Sequence, residues 1–234
     1  GCSISAGIPL ASEMVKTIKE ENPNLFKEFP SDNYQKCMSQ LLPVEPRLFI
    51  KKVLKDRKVN WAHIVMGQLM QHDYVDRVLT INFDNLILRA AMLAGFIPAV
   101  DDLASTHSLD TRYIADKAVF YLHGQETGFI HIHDDKTEEG QGITPALQTL
   151  FEDSNKKRMW IVVGYSGESD DIFPILQKIK GFDCSLFWVG HGKEPSGKLK
   201  EWFEDPANKD NNAYFLGGQD ADKFFINLGV QLAK

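Results

Sequence analysis

Apolar, β-branched stretches alternate with helix-period segments along most of this chain, and this alternation limits the folds open to it. Residues 159–163 form an uninterrupted apolar run ending at Gly164, which is typical of a strand buried on both faces of a sheet. Helical segments separate such runs, a spacing that favours parallel strands joined by crossover helices. Strands are predicted at 77–81, 96–100, 118–122, 159–163, 184–189 and 213–216. The sequence therefore predicts an α/β fold with a Rossmann-like, doubly wound and mostly parallel sheet.

Residues 21–60 interrupt this alternation and are rich in Pro, Lys, Asn and Phe. Apolar residues recur at helical spacing within 34–42 and 47–54, so we expect a small helical insertion that covers the sheet. Residues 1–20 and 61–234 would then form the α/β domain. A helix at 61–71 is expected to pack on the sheet through its apolar residues, which are Trp61, Ile64, Val65, Leu69 and Met70.

The composition is that of a globular protein without a surface for nucleic acid. The 234 residues carry a formal net charge of -6, and the short basic runs are flanked by acidic residues, which argues against binding to a phosphate backbone. Three widely spaced cysteines favour a reducing compartment, and the cytoplasm is expected. No apolar stretch is long enough for a membrane span. The chain begins within a glycine motif without an initiating methionine, so we expect it to be part of a longer multidomain protein.

Polar side chains follow two of the predicted strands. Asn82 and Asp84 come directly after the strand at 77–81, and His123-Gly124 follows the strand at 118–122. Because the carboxyl ends of parallel strands lie at one edge of a sheet, we expect a carboxamide, a carboxylate and an imidazole to converge there. Nucleotides bind at that edge in open parallel sheets.

Three short motifs resemble those of the sirtuin family. The first nine residues, Gly-Cys-Ser-Ile-Ser-Ala-Gly-Ile-Pro, resemble the sirtuin nucleotide loop, with Gly1 at the third position of its Gly-Ala-Gly-Ile-Ser motif. Asn82-Phe83-Asp84 and His123-Gly124 resemble the family's Asn-Ile-Asp and His-Gly segments. The paired Cys-x-x-Cys zinc knuckles of protein-deacylating sirtuins do not occur in this sequence. The chain therefore resembles the zinc-less bacterial branch, which hydrolyses NAD+ in defence against phage.

The resemblance implies catalytic roles for three residues. Asn82 and Asp84 would fix the nicotinamide amide and the ribose, and the Asp84 carboxylate could stabilise the positive charge that develops on the sugar. His123 would act as general base, because an imidazole accepts protons near neutral pH. A second His-Gly pair occurs at His191, but only His123 follows the Asn82 segment by the interval seen in the family.

The resemblance also implies the contacts to the rest of the dinucleotide. The first loop, with Gly1, Cys2, Ser3 and Ile8, would hold the diphosphate, because small residues allow close approach of the main chain. The adenosine half would lie against three later elements, represented by Gly164 with Ser166, by Gly190 and by Asp220. The segment that continues from Ser166 to Glu168 and Ser169 resembles the sirtuin Gly-Thr-Ser segment.

Each assignment has a structural alternative. The glycine-rich start could be a plain turn, and Asn82 and Asp84 could cap the helix that begins near Asn85. A histidine at a strand end is often structural. Gly190 and Asp220 could equally well be residues that end a strand and cap the helix that follows it. His131 and His133, with Asp134 and Asp135, could be read as a metal site, but the pattern places no third ligand, and no metal is expected.

The function expected from the resemblance is hydrolysis of NAD+ to nicotinamide and ADP-ribose, with NAD+ as substrate and no zinc. Activity would be controlled by self-association or by attached sensor domains, and NAD+ depletion would abort infection. Two alternatives stay open, an NAD-dependent protein deacylase and a non-catalytic sensor of NAD or ADP-ribose.

Overall fold

A computed structural model describes residues 1–42, 44–104, 106, 108–126, 145–167 and 172–233. The described strands are β1 (Arg77–Thr80), β2 (Ala99–Asp102), β3 (Ala118–Tyr121), β4 (Met159–Val163), β5 (Ser185–Val189) and β6 (Ala213–Leu216). The described helices are α1 (Ala11–Glu21), α2 (Pro23–Glu28), α3 (Tyr34–Ser39), α4 (Glu45–Leu54), α5 (Trp61–Gln71), α6 (Leu86–Leu93), α7 (Pro145–Asn155), α8 (Ile172–Lys178), α9 (Gly197–Glu204) and α10 (Ala221–Leu232). Short 3₁₀ turns occupy Thr111–Tyr113 and Pro206–Asn208.

All strand pairing in the described residues is parallel, and the α/β fold is as predicted. The strands are divided between two sheets of three, with orders β1-β3-β2 and β4-β5-β6. Parallel pairing requires a long crossover connection. Helix α8 lies in the crossover from β4 to β5 and α9 in that from β5 to β6, whereas the crossover from β2 to β3 contains only the 3₁₀ turn Thr111–Tyr113 among its described residues. The fold is compatible with a Rossmann-like arrangement.

Strand β3 shows that helices cover both faces of its sheet. Ala118, Phe120 and Leu122 point into a core that includes residues of α7, α8 and α9. Val119 and Tyr121 alternate with them and point into a core built from α5 and α6. All five side chains are buried, which explains why this strand reads as a continuous apolar run.

The two sheets are linked where β1 and β4 begin. The Arg158 side chain forms a salt bridge with Asp76, just before β1. Arg77, at the start of β1, pairs with Asp153 of α7 over 2.8 Å. On one face of the molecule, Leu79 of β1 and Trp160 of β4 pack against the same core, so the two sheets share a hydrophobic interior.

Residues 21–60 form α2, α3 and α4, without a strand among their described residues. These helices share a core with α1, and that core also takes in Ile8 of the first loop and Leu86 of α6. The insertion is therefore packed directly against the segment that leads into α1 and against the start of α6. None of the helices in the described part of the chain has the length and apolar character that crossing a bilayer demands.

Two expectations about burial are wrong. Trp61 does not pack on a sheet, because it is the first residue of α5 and is 61% exposed. Strand β4 is not buried on both faces: Met159 is 57% exposed and Ile161 is 37% exposed. The physical reason is that β4 is an edge strand covered mainly on one face: Trp160 and Val162 pack against the core that includes α7 and α8, whereas Met159 and Ile161 point to the other face. Strand β2 also begins at Ala99, later than predicted, so that Asp101 and Asp102 belong to it.

Candidate functional site

The first loop is a compact turn whose main-chain groups bond largely to one another. The amides of Ala6 and Ile8 both donate to the Ser3 carbonyl, over 3.2 Å each, and Gly7 N donates to the Ile4 carbonyl over 2.8 Å. Gly7 has φ of +86°, a conformation that glycine adopts without strain. These bonds close the turn before α1 and leave Ser3 buried, at 3% exposure.

Ser3 joins the first loop to the segment that follows β1. Its Oγ donates to Oδ2 of Asp84 over 3.0 Å and accepts from Nδ2 of Asn82 over 3.0 Å. Asp84 is 6% exposed, so its carboxylate is held in a largely desolvated position. The structure therefore brings together Ser3, Asn82 and Asp84, here called the Ser3 cluster.

Asp84 also caps α6. Its Oδ1 accepts from Leu86 N over 3.0 Å, whereas the side chain of Asn85, at the N-cap position, makes no capping bond. The two carboxylate oxygens thus have separate roles, one at the helix start and one in the Ser3 cluster. The hydroxyl of Tyr121 donates to the main-chain carbonyl of Asp84 over 3.0 Å, and burial, with the nearby Asp84 and Asp102 charges, raises the pKa of Tyr121.

Sequence reasoning missed a buried pair behind the first loop, Asn60 and His63. Asn60 Nδ2 donates to the Cys2 carbonyl over 2.6 Å and to Ser5 Oγ over 2.7 Å. Its Oδ1 accepts from the His63 amide over 3.1 Å and contacts His63 Nδ1. Asn60 thus caps α5 and anchors the loop at the same time. An Asn directly before a helix is a recognised cap signal, but nothing in the sequence pairs it with Cys2.

The environment of His63 favours its neutral form. The imidazole is 4% exposed, and burial lowers its pKa even though the Asp84 and Asp222 charges act in the opposite direction. Asp222, on α10, accepts from Ala62 N over 2.7 Å and so ties α10 to the start of α5. A neutral ring with its proton on Nδ1 satisfies Asn60 Oδ1 as acceptor.

His123 lies just beyond β3, at the same edge as the Ser3 cluster. Thr80 of β1 is paired with Tyr121 of β3, and Leu122 N donates to the Thr80 carbonyl over 2.9 Å. Asn82 and His123 each follow the last paired residue of their strand by two positions. The side chain of His123 is half-buried. Both residues thus lie beyond the same edge of the sheet.

The end of β4 touches the start of the chain. A methyl group at Gly164 would lie 2.5 Å from Cys2 N, and Gly164 has φ of +69°. The Cys2 thiol donates to the Val163 carbonyl over 3.3 Å. Burial is the main cause that raises the pKa of Cys2 to about 11, so this cysteine is a neutral, structural group at pH 7.

The remaining predicted contacts are spread more widely. Ser166 is exposed beyond β4, and Gly190 follows β5 with its amide donating to the Leu216 carbonyl over 3.0 Å. Asp220 caps α10, because its Oδ1 accepts from Lys223 N over 3.1 Å. Ile8 is packed in the core of the insertion. Glu168, Ser169, His131, His133, Asp134 and Asp135 lie outside the described residues.

A cavity of about 550 Å³ opens beside Asp84. Its walls come from the end of α4 with the following residues 55–58, from the start of α6, and from Glu126. Its lining residues are Leu54, Lys55, Asp56, Arg57, Lys58, Asp84, Asn85, Leu86, Arg89 and Glu126. A volume of this size accommodates a nucleotide-sized molecule. Within the described ranges, no group of three His, Cys, Asp or Glu side chains is placed to hold a metal ion.

Comparison with known proteins adds no assignment, because no protein-family model and no curated protein matches this chain.

Proposed function

We propose that this protein is a sirtuin-like NAD+ glycohydrolase, which cleaves NAD+ with water to nicotinamide and ADP-ribose. The observation that carries the proposal is the Ser3 cluster, because it joins the first loop to Asn82 and Asp84 through bonds of 3.0 Å. A plain turn would not need these bonds between two segments that lie about 80 residues apart in sequence. The cavity beside Asp84 supplies room for a substrate.

The geometry of Asn82 suits recognition of a carboxamide. Its Nδ2 donates to Ser3 Oγ, and its Oδ1 accepts no hydrogen bond from the described residues. That oxygen can accept an N–H of the nicotinamide amide. Because Ser3 fixes the side chain, little ordering is required when the ligand binds.

Asp84 supplies the negative charge that the reaction needs. In hydrolysis the bond between ribose C1′ and the nicotinamide nitrogen breaks, and its electron pair leaves with nicotinamide. The sugar then carries positive charge, which a desolvated carboxylate stabilises more strongly than it would in water. Ser3 and Leu86 donate to this carboxylate and hold it in position.

His123 completes the proposed mechanism as general base. Water bonds to C1′ and transfers its proton to the imidazole, which later releases it to solvent. In the cell, this activity would deplete cytoplasmic NAD+ in response to phage. Self-association or attached sensor domains would control it.

The test is incubation of the full chain with NAD+ and chromatographic measurement of nicotinamide and ADP-ribose. The proposal predicts equal amounts of both without an acylated peptide, and loss of release in His123→Ala with the fold retained. Release that requires an acyl-lysine peptide would assign a deacylase instead, and binding of NAD+ without cleavage would assign a sensor. Unchanged release in His123→Ala would remove this residue from the mechanism.

A further inference from the structure

We infer that the cavity beside Asp84 is a binding site for a phosphate-bearing molecule, and that the phosphate is held by the end of the helical insertion rather than by the first loop. The inference goes beyond the proposed function, because it assigns a site to Arg57, Lys58 and Arg89. It concerns binding alone and holds whatever reaction follows.

The cavity lining carries four cations against three carboxylates, and the cations gather with Asp56 on the side of the insertion and α6, here called the cationic wall. Lys55, Arg57 and Lys58 line it from the segment after α4, and Arg89 lines it from α6. None of these four side chains forms a salt bridge with a carboxylate of the described residues, although other basic residues do, such as Lys52 with Glu21. With four cations and three carboxylates in the lining, one positive charge is left over, and cations without a salt-bridge partner favour an anionic group beside them.

The two arginines are held in place by main-chain bonds. Arg57 Nε donates to the Val53 carbonyl over 2.7 Å, and Arg89 Nη1 donates to the Arg57 carbonyl over 2.6 Å. Each guanidinium has five N–H groups, so most donors remain for a ligand. Because both side chains are already ordered, binding an anion costs less conformational entropy. Arginine also matches the geometry of phosphate oxygens through paired bonds.

The first loop, by contrast, has few donors left for a phosphate. The amides of Ile4, Ala6, Gly7 and Ile8 bond to carbonyls inside the loop. The Ser3 hydroxyl already donates its hydrogen to Asp84 Oδ2. The loop instead supports the cationic wall, since a methyl group at Gly7 would lie 2.9 Å from Arg57 Nη1.

The carboxylates of the lining indicate what else the ligand carries. Asp84 and Glu126 also line the cavity, and carboxylates accept hydrogen bonds from sugar hydroxyls. A volume of about 550 Å³ exceeds what a phosphate ion fills. These features fit a sugar phosphate or nucleotide with its phosphate toward Arg57 and its hydroxyls toward Asp84.

The site can be tested by NMR titration of the full chain with inorganic pyrophosphate and, separately, with ADP-ribose. The inference predicts shifts of amides within 54–58 and 86–89, and affinity that falls as salt is added. Shifts confined to the amides of residues 2–7 would overturn it, and so would the lack of binding by both probes at millimolar concentration. Because no cleavage is measured, this result is independent of whether NAD+ is hydrolysed.

Variants separate the cationic wall from general surface charge. Lys58 and Arg89 are exposed, so Lys58→Ala and Arg89→Gln should fold normally, which circular dichroism can verify. Each is expected to weaken ADP-ribose binding about threefold to tenfold, and the double variant more. Lys51→Ala, an exposed lysine of α4 outside the cavity, is the matched control. Equal affinities in the double variant and in Lys51→Ala would contradict the inference.

Discussion

The Ser3 hydroxyl donates to Oδ2 of Asp84 over 3.0 Å, although 81 positions separate the two residues in sequence. Both side chains are buried, so neither can exchange this partner for water. The bond therefore fixes the first loop on the segment after β1. Since Ser3 also accepts from Asn82, loosening this residue should disturb both polar groups proposed to contact the substrate.

Ser3→Ala is expected to lower the free energy of unfolding by about 1–3 kcal/mol, because the buried Asp84 oxygen and Asn82 amide each lose a partner. Denaturant unfolding measures the change. Ser196→Ala is the control, since Ser196 is exposed and its side chain makes no capping bond with α9. Equal effects of the two substitutions would mean that the Ser3 bonds contribute nothing to stability.

Asn60→Ala should be more costly than loss of an ordinary helix cap. It removes two donations to the first loop as well as the cap of α5, and we expect a loss of about 2–4 kcal/mol. Asn33→Ala is the matched comparison, because Asn33 caps α3 through one bond, to Lys36 N. A loss near 1 kcal/mol is expected there. The account of Asn60 fails if both variants unfold at the same denaturant concentration.

His63 should make the protein less stable as the pH falls. Burial lowers its pKa in the folded state below the ordinary value of 6.5, so the unfolded chain takes up the proton more readily. The stabilisation from neutral His63 is therefore present above pH 6.5 and is lost as the pH falls through the folded-state pKa. Urea unfolding between about pH 5 and pH 8 should show this slope in the wild type and a smaller slope in His63→Gln. Identical slopes would rule out His63 as the titrating group.

Gly164→Ala tests the contact between the end of β4 and the start of the chain. The added methyl group would lie 2.5 Å from Cys2 N, so the first loop must shift. Gly218→Ala is a close control, since Gly218 has φ of +70° against +69° for Gly164 but no atom within 4 Å of the added methyl group. The backbone strain is shared, and the excess loss of stability in Gly164→Ala, about 1–3 kcal/mol, reports the clash. No excess would show that the two segments do not touch.

Local patterns predicted the elements that carry the site. Apolar periodicity predicted α5 at 61–71, its observed limits, and the β-branched run before Asn82 is a strand as expected. The edge position of His123 also followed from the pattern, because it depends only on where β3 ends. These features depend on neighbours in sequence.

Features that depend on distant partners were not predictable from the sequence. A central strand and an edge strand can have the same apolar sequence, so the run at β4 does not reveal which it is. Only the structure shows that Met159 is exposed. The bonds from Asn60 to Cys2 and from Ser3 to Asp84 join residues that no periodicity relates. The cationic wall arises because the segment after α4 packs beside α6, whereas the sequence showed at 55–58 only a short basic run flanked by acidic residues, which predicts a solvated surface.

The most direct test of the central claim is the initial rate of nicotinamide release from saturating NAD+ by wild type and by Asn82→Ala, with Asn33→Ala as the control for an unrelated Asn. The account predicts measurable release by wild type, a similar rate in Asn33→Ala, and a decrease in kcat of about a hundredfold or more in Asn82→Ala, because a fixed polar contact to the reacting group is lost. Equal rates in all three proteins would contradict the assignment of the Ser3 cluster as the catalytic site.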